Sequence, residues 1–330
     1  MRFSIVIPVF NRPDELDELL GSITRQKGDV PHEVIIVEDG SLITSENIVN
    51  QYSEKLDIKY CFKNNSGPGD SRNYGMQRSS GNYFILLDSD CLLPDEYLLT
   101  VSKSLTDHYT DAYGGPDAAH PSFSVNQKAF NYAMTSLLST GGLRSAESDK
   151  GKFQLRSFNM GISRDAVTRT GGFARQRIGE DIDLYFRLIE RGCTTQFLRD
   201  AFVYHKRRTT WSQFFRQTRN FGAARPILNR MHPGSWKMTY WLPSLFLSGL
   251  VFSVLLSFLG VPYLLIPFAL YALAVGFDAT RSNRSLWVGL ASILAVFVQF
   301  FGYGSGFMRT VFRIYIQGKE DKEAFPLMFA

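Results

Sequence analysis

The sequence predicts an α/β protein: a mostly parallel sheet flanked by helices, followed by C-terminal helices apolar enough to cross a membrane. Three observations predict it. Apolar runs of strand length alternate with helix-like periods as far as Leu87. Several of those runs end in acids, as sheets that bind ligands at their carboxyl edge do. Finally, Met238–Phe277 and Leu286–Met308 contain no charged residue. Composition limits the alternatives. A chain of 330 residues, 45% hydrophobic and 20% charged, buries a core and is not disordered as its main state. A net charge of +5 is too small to point to nucleic acid. Cys61, Cys91 and Cys193 are far apart and form neither a zinc spacing nor a disulfide framework, which fits a reducing compartment.

The elements follow in chain order. Phe3–Val9 is an apolar strand. Pro13 suits a helix start, Asp14 and Glu15 suit its first turn, and Leu16, Leu19, Leu20 and Ile23 share one face. Glu33–Val37 is a second strand, followed by Glu38-Asp39-Gly40-Ser41. Ser45 caps a helix carrying Ile48, Val49 and Tyr52; Ile58–Phe62 is a third strand, Asp70–Ser80 a helix and Tyr83–Leu87 a fourth strand. Continuous apolar strands separated by helices imply a parallel sheet covered on both faces. Asp39, Asp88 and Asp90 then lie at its carboxyl edge, where ligands bind. There is no internal repeat, and Gly67-Pro68-Gly69 has the wrong spacing for a dinucleotide or P-loop motif.

Two acidic groups and one histidine are chemical candidates. Asp88-Ser89-Asp90 ends an apolar strand, and its two carboxylates suit Mg²⁺ or Mn²⁺ shared with a diphosphate; a solvated turn is the alternative. Gly179-Glu180-Asp181-Ile182-Asp183 opens a helix whose buried face is Ile182, Tyr185, Phe186 and Ile189. Acids cap helices, but three exceed that need, and one is a candidate general base. Gly171-Gly172-Phe173 offers a turn where backbone approaches a ligand. His205 ends Phe202-Val203-Tyr204-His205, and is either structural or a metal or phosphate contact.

The rest of the chain points to a membrane. As one helix, Met238–Phe277 would extend roughly 60 Å, about twice the hydrocarbon thickness, so Gly260-Val261-Pro262 is expected to divide it. Spans are expected at about 241–259, 261–277 and 286–308, with Gly302, Gly304 and Gly306 allowing the third to bend. Lys206, Arg207, Arg208, Arg216, Arg219, Arg225, Arg230 and Lys237 precede them without any Asp or Glu, which favours the cytosolic side and anionic lipid heads. Trp211, Phe214, Phe215 and Thr218 form a helical stripe, with Arg216 and Arg219 off it. Such a helix lies in the membrane interface or caps the soluble core; its nearness to the spans favours the interface. Phe3–Phe10 is too short for a secretion signal, so the part before the spans is expected in the cytosol. The expected division is 1–210, 211–237 and 238–330.

Together these residues resemble a family 2 glycosyltransferase, inverting, of GT-A fold and membrane-anchored bacterial type. Val6-Ile7-Pro8-Val9-Phe10-Asn11-Arg12 resembles the family's first strand, and Val37-Glu38-Asp39-Gly40-Ser41 its second strand end, with Glu38 replacing the usual Asp. Asn65–Gly75 resembles the segment lining the nucleotide site, although Asp70 and Ser71 stand where small residues are usual. Asp88-Ser89-Asp90 matches the Asp-x-Asp motif. Phe158–Arg164, Gly171-Gly172-Phe173 and Gly179-Glu180-Asp181 follow in the family's order. A Gln-x-x-Arg-Trp string is absent, since Gln213–Arg216 is followed by Gln217, which argues against a processive polymer synthase.

The resemblance implies a nucleotide-diphosphate sugar as donor, contacted by Pro8, Asp39, Arg72, Asn73, Asp88 and Ser89. It implies a divalent metal, Mn or Mg, on Asp88, Asp90 and His205, an acceptor beside Asn159, Gly172 and Glu180, and Asp181 as base. The acceptor would be lipid-linked or a membrane-proximal glycan, with membrane lipids as partners and no nucleic acid. The implied place is the inner cell membrane, multi-pass, with the catalytic part cytosolic. A nucleotidyltransferase and a non-catalytic membrane scaffold are the alternatives; Glu180-Asp181 after Gly172 speaks against the first, and Asp39, Asp88, Asp90 and Asp181 against the second.

Overall fold

A computed structural model describes residues 1–141, 153–206 and 209–329. Arg207 and Arg208 of the basic run, and Ala330, lie outside the described residues. In chain order the elements begin β1 (Phe3–Val9), α1 (Pro13–Thr24), β2 (His32–Asp39), α2 (Glu46–Tyr52), β3 (Ile58–Lys63), α3 (Pro68–Arg78), β4 (Tyr83–Leu87) and β5 (Cys91–Leu92). They continue with α4 (Tyr97–Asp107), β6 (Ala112–Gly114), β7 (Asp117–Ala118), α5 (Val125–Thr135), α6 (Leu137–Thr140), β8 (Asn159–Ser163), α7 (Arg164–Thr170) and α8 (Glu180–Glu190). Then come β9 (Thr195–Phe197), β10 (Val203–His205), α9 (Trp211–Met231), α10 (Leu242–Ser257), α11 (Ile266–Asn283), α12 (Leu286–Val311) and the short α13 (Asp321–Ala324). Two compact units form: Met1–His120 with Leu143–Lys206, and Pro121–Gly142 with Arg207–Ala330.

The first unit is built on a seven-stranded sheet of order β3-β2-β1-β4-β8-β6-β9, in which only β8 runs antiparallel to its neighbours. This is the mostly parallel sheet that the apolar runs predict. Ile5, Ile7 and Val9 face Leu16, Leu19, Leu20 and Val101 on one side; Val6, Val37 and Leu86 face Leu184 and Leu188 on the other. Burial on both faces is why these strands read as continuous apolar runs. Two boundaries differ from expectation. β2 runs on through Glu38 to Asp39, and α3 starts at Pro68, whose fixed φ suits a first helical turn. A second, three-stranded sheet, β5-β10-β7, carries the edge of the site. There His205 is in register with Cys91, antiparallel.

The second unit is helical. Among the described residues three helices are long and apolar enough to cross a membrane: Met238–Ser257, Pro262–Asn283 and Leu286–Ile316. The break falls beside Gly260-Val261-Pro262, as expected, but α11 continues through Asp278 and Arg281 to Asn283. The segment expected to be a connection after Phe277 is therefore mostly helix, in part because Tyr132 Oη donates to Asp278 at 2.6 Å and gives that carboxylate a partner. α12 runs on without a break through Gly302, Gly304 and Gly306. They make it flat enough for close packing. A Cβ on Gly306 would lie 2.1 Å from the Arg219 carbonyl oxygen, and one on Gly302 2.1 Å from Thr218 Oγ1. Small residues three or four apart let helix backbones approach in this way. Three members of the α9 stripe turn inward within this unit, with Thr218 buried, Phe214 stacked on Phe130 of α5 at 4.4 Å and Trp211 edge-on to the same ring, while Phe215 is exposed. Pro121–Gly142 thus belongs with the C-terminal helices, a grouping that its own sequence did not signal.

Candidate active site

The carboxyl edge of the sheet gathers acids from three segments, and a buried arginine ties two of them together. Arg72, on α3, is 2% exposed. Its Nη2 donates to Asp88 Oδ1 at 2.5 Å and its Nη1 to Glu180 Oε1 at 3.2 Å. The side chain also lies 5.4 Å from the centre of the Phe173 ring. A guanidinium out of water needs paired charges, and its rigid fork serves two carboxylates at once. The pair lies 16 and 108 residues away in sequence, so Arg72 joins the end of β4 to the first turn of α8. Burial and the adjacent Asp181 carboxylate hold Glu180 above the usual carboxylate range, against the pull of Arg72.

Asp181 follows at the same helix end. Its Oδ1 accepts from the Ile182 backbone N–H at 2.8 Å, and its Oδ2 lies 3.6 Å from Arg156 Nη1. Unlike Glu180 it is partly exposed. The turn before α8 is held by Asn73, whose Nδ2 donates to the Phe173 carbonyl while its Oδ1 accepts from the Phe173 N–H, both at 2.8 Å. Gly172 stands beside it at φ +73, where a Cβ would lie 2.4 Å from Asn73 Oδ1. Only glycine meets both demands.

Asp88, Asp90 and His205 converge. His205 Nε2 is 3.1 Å from Asp90 Oδ1 and 4.0 Å from Asp88 Oδ2. The strand pairing sets this distance: the Lys206 N–H donates to the Asp90 carbonyl at 2.9 Å. Phe158 stacks on the imidazole at 4.7 Å, and Asp117 Oδ2 lies 3.8 Å from Nδ1 on its other side. Asp90 also contacts Arg12 Nη1 at 3.3 Å. Cys91 lies close enough to join Asp90 and His205 as a ligand. Burial raises its thiol, which faces the Phe158 carbonyl at 3.5 Å, so it is a poor partner for a hard cation. Two carboxylates and an imidazole suit Mg²⁺ or Mn²⁺ better. Ser89 between them is buried.

The remaining predicted residues divide. Asp39, at the end of β2, is 4% exposed. Its carboxylate accepts from Lys63 Nζ at 2.5 Å and from the Ser66 and Gly67 N–H groups at 2.9 Å, so it rivets the loop between β3 and α3. Glu38 points elsewhere, accepting from the Ser45 N–H at 2.7 Å and from the Ser41 hydroxyl. Pro8, opposite Val37 in the sheet, is partly exposed. Asn159 has no exposed surface. It accepts from Tyr97 Oη at 2.6 Å and donates to the Ala201 carbonyl at 2.8 Å, so it joins three segments inside the protein and does not reach an acceptor. Arg12, Lys63, Asp117 and Arg156 were not singled out as site residues in the sequence. Each is defined by a partner distant in the chain, which no local pattern announces.

A mostly parallel sheet with acids at its carboxyl edge, and a histidine of the second sheet beside them, is an α/β arrangement that places ligands at that edge. Residues 4–170 match glycosyl transferase family 2, and the chain belongs to that family. Chondroitin synthase of Pasteurella multocida is 26% identical over 62% of this chain and 24% of its own length. The poly(ribitol-phosphate) beta-N-acetylglucosaminyltransferase TarS of Staphylococcus aureus is 32% identical over 34% of this chain and 20% of its own. The chain thus spans about a quarter or less of these curated relatives. Among solved structures, the mannosyltransferase PcManGT from Pyrobaculum calidifontis, in complex with GDP-Man and Mn²⁺, superposes with a TM-score of 0.63 at 16% identity, covering 91% of this chain and 87% of that one. The fold is of GT-A type.

Proposed function

We propose that the protein is an inverting glycosyltransferase that moves a sugar from a nucleotide-diphosphate sugar to a hydroxyl of a lipid-linked or membrane-proximal glycan. The observation that carries this reading is the Arg72 bridge, which connects the Asp-x-Asp end of β4 to the helix end bearing Asp181. Asp181 takes the proton from the acceptor hydroxyl as its oxygen bonds to the anomeric carbon. The bond from that carbon to the diphosphate oxygen breaks on the opposite face, so a single displacement inverts configuration. Asp88, Asp90 and His205 would hold a divalent metal, which supplies positive charge against the diphosphate. Arg72 fixes Asp88 and Glu180, and Asn73 fixes the turn at Gly172, so these groups need no rearrangement at the moment of reaction. The acceptor half of the reading is supported by the three apolar helices and by relatives named for polymer-directed transfer.

On this reading the unit bearing the sheet faces the cytosol, the first two spans return the chain there, and the protein is multi-pass in the inner membrane. Release of nucleoside diphosphate from a panel of UDP and GDP sugars, with Mn²⁺ and a lipid-extract acceptor, tests the activity. Product from at least one donor is expected; none from any, by protein shown to bind nucleotide, would refute transfer. An impermeant thiol reagent on intact cells carrying Ser282→Cys should not label it, and ready labelling would overturn the topology.

A further inference from the structure

Within the helical unit, Arg225 on α9 is 7% exposed, and neither its Nε nor its Nη1 meets a hydrogen-bond acceptor among the described residues. Two other cations of the same unit have partners: Arg230 pairs with Asp321 at 3.1 Å, and Arg313 donates to the Ala324 carbonyl at 3.1 Å. What Arg225 has is an aromatic brace, its guanidinium lying 4.3 Å from the centre of the Tyr240 ring. Tyr240 belongs to the turn Met238–Trp241, which leads into α10.

The surroundings place this group at one end of the apolar helices. Trp241 packs edge-on to Phe307 at 4.9 Å, and Ser244 Oγ donates to the Gly304 carbonyl at 3.4 Å. The beginning of α10 therefore lies beside the closing turns of α12. For helices that cross a membrane this level is the polar boundary, where Trp and Tyr collect, and Trp236, Tyr240, Trp241 and Tyr303 are here. A guanidinium held largely out of water, stacked on an aromatic ring and with open donors, is a receptor for an anionic oxygen. Its planar fork fits two phosphate oxygens. From Lys206 to Lys237 the chain offers no Asp or Glu to compete.

We propose that Arg225, braced by Tyr240, holds the phosphoryl group of a membrane lipid where α9 meets the head of α10. The proposal rests on the membrane reading of the apolar helices and not on the assignment of Asp181 or Asp90. Two lipids carry this chemistry, a glycerophospholipid and a polyprenyl phosphate acceptor or its product.

The test uses the full chain, purified in a neutral detergent. Binding of dihexanoyl phosphatidic acid is compared with dihexanoylglycerol, and farnesyl phosphate with farnesol. At least one phosphorylated lipid should bind about tenfold or more tighter than its neutral counterpart, and Arg225→Gln should erase that preference. The lipid that shows the preference identifies the source. Arg225→Lys keeps the charge but loses the fork, and should retain part of the preference with an unchanged thermal midpoint, which guards against a Gln variant that misfolds. The proposal is overturned if Arg225→Lys and Arg225→Gln both bind as wild type does, if wild type shows no preference, or if inorganic phosphate binds as tightly as the lipids. A wild-type chain that fails to insert into phosphatidylcholine vesicles would refute the membrane reading itself, a result distinct from loss of headgroup preference alone.

Discussion

The two units of the molecule sort their residues in opposite ways. In the sheet unit the interior is Ile, Val, Leu and Phe, and the buried charges are interlocked, as Arg72 is with Asp88 and Glu180. In the helical unit Phe130, Phe214 and Phe307 are buried, but many large side chains are outside: Leu245, Phe252, Leu270 and Leu273 are all at least 60% exposed, while Ser244, Ser253 and Ser292 are buried. Water drives the first arrangement, because it rewards hiding apolar surface. The second is what helices do when the surrounding medium is as apolar as leucine: small residues and hydrogen bonds face the partner helix. One unit hides its apolar surface and the other displays much of it on helices apolar enough to cross a membrane, and each can be attacked on its own terms.

The largest effect is expected at the edge of the sheet unit. Asp90→Ala should lower Mn²⁺-dependent binding of nucleoside diphosphate about a hundredfold or more, since a metal against a diphosphate is worth several kcal/mol. Calorimetry with UDP and GDP, with and without Mn²⁺, reads this, and unchanged affinity would remove Asp90 from the site. In the helical unit, Gly306→Leu should cost roughly 1–3 kcal/mol or more by overpacking, because even a Cβ there would lie 2.1 Å from a backbone oxygen. Gly234→Ala, where a Cβ meets nothing within 4 Å, is the neutral control. Equal thermal midpoints for the two variants in detergent would contradict the close pairing of α9 with α12.

A smaller effect should appear as a pH dependence of the sheet unit. Glu33 is 1% exposed. Burial would raise its carboxyl, but hydrogen bonds from Ser4 and Ser80, with Lys59 nearby, outweigh that and hold it at about 2. A group depressed in the folded state stabilises above its unfolded value and loses that contribution as pH falls toward the folded one. Glu33→Gln should therefore destabilise by about 1–3 kcal/mol at pH 7, and the difference from wild type should shrink between about pH 4.5 and 2. A difference that grew on acidification would reverse the sign and refute this account of Glu33.

How much of this was legible in the sequence depends on the range of the interaction. The strands of the sheet unit are written in continuous apolar runs, because burial on both faces leaves no room for alternation. Asp88-Ser89-Asp90 and Gly179-Glu180-Asp181 were visible as acids at element ends. The bridge from Arg72 to Glu180, the Lys63 contact with Asp39 and the Asp117 carboxylate beside His205 were not, since each depends on how distant segments meet. Asn159 shows the opposite failure: it sits within a recognisable string, yet burial assigns its amide to the interior. The glycines of α12 read as points of bending, but the backbone of α9 lies against them, and that packing keeps the helix continuous.

In the proposed reaction Asp181 takes the acceptor proton at a site that Arg72 and Asn73 hold in place. The most direct measurement is turnover and donor affinity of purified Asp181→Asn beside wild type, with the same donor and acceptor. The amide preserves shape and cannot accept the proton, so turnover should fall by about 10²–10⁴ while donor affinity stays within a few fold. Turnover above about a tenth of wild type, with the donor bound normally, would show that another group is the base.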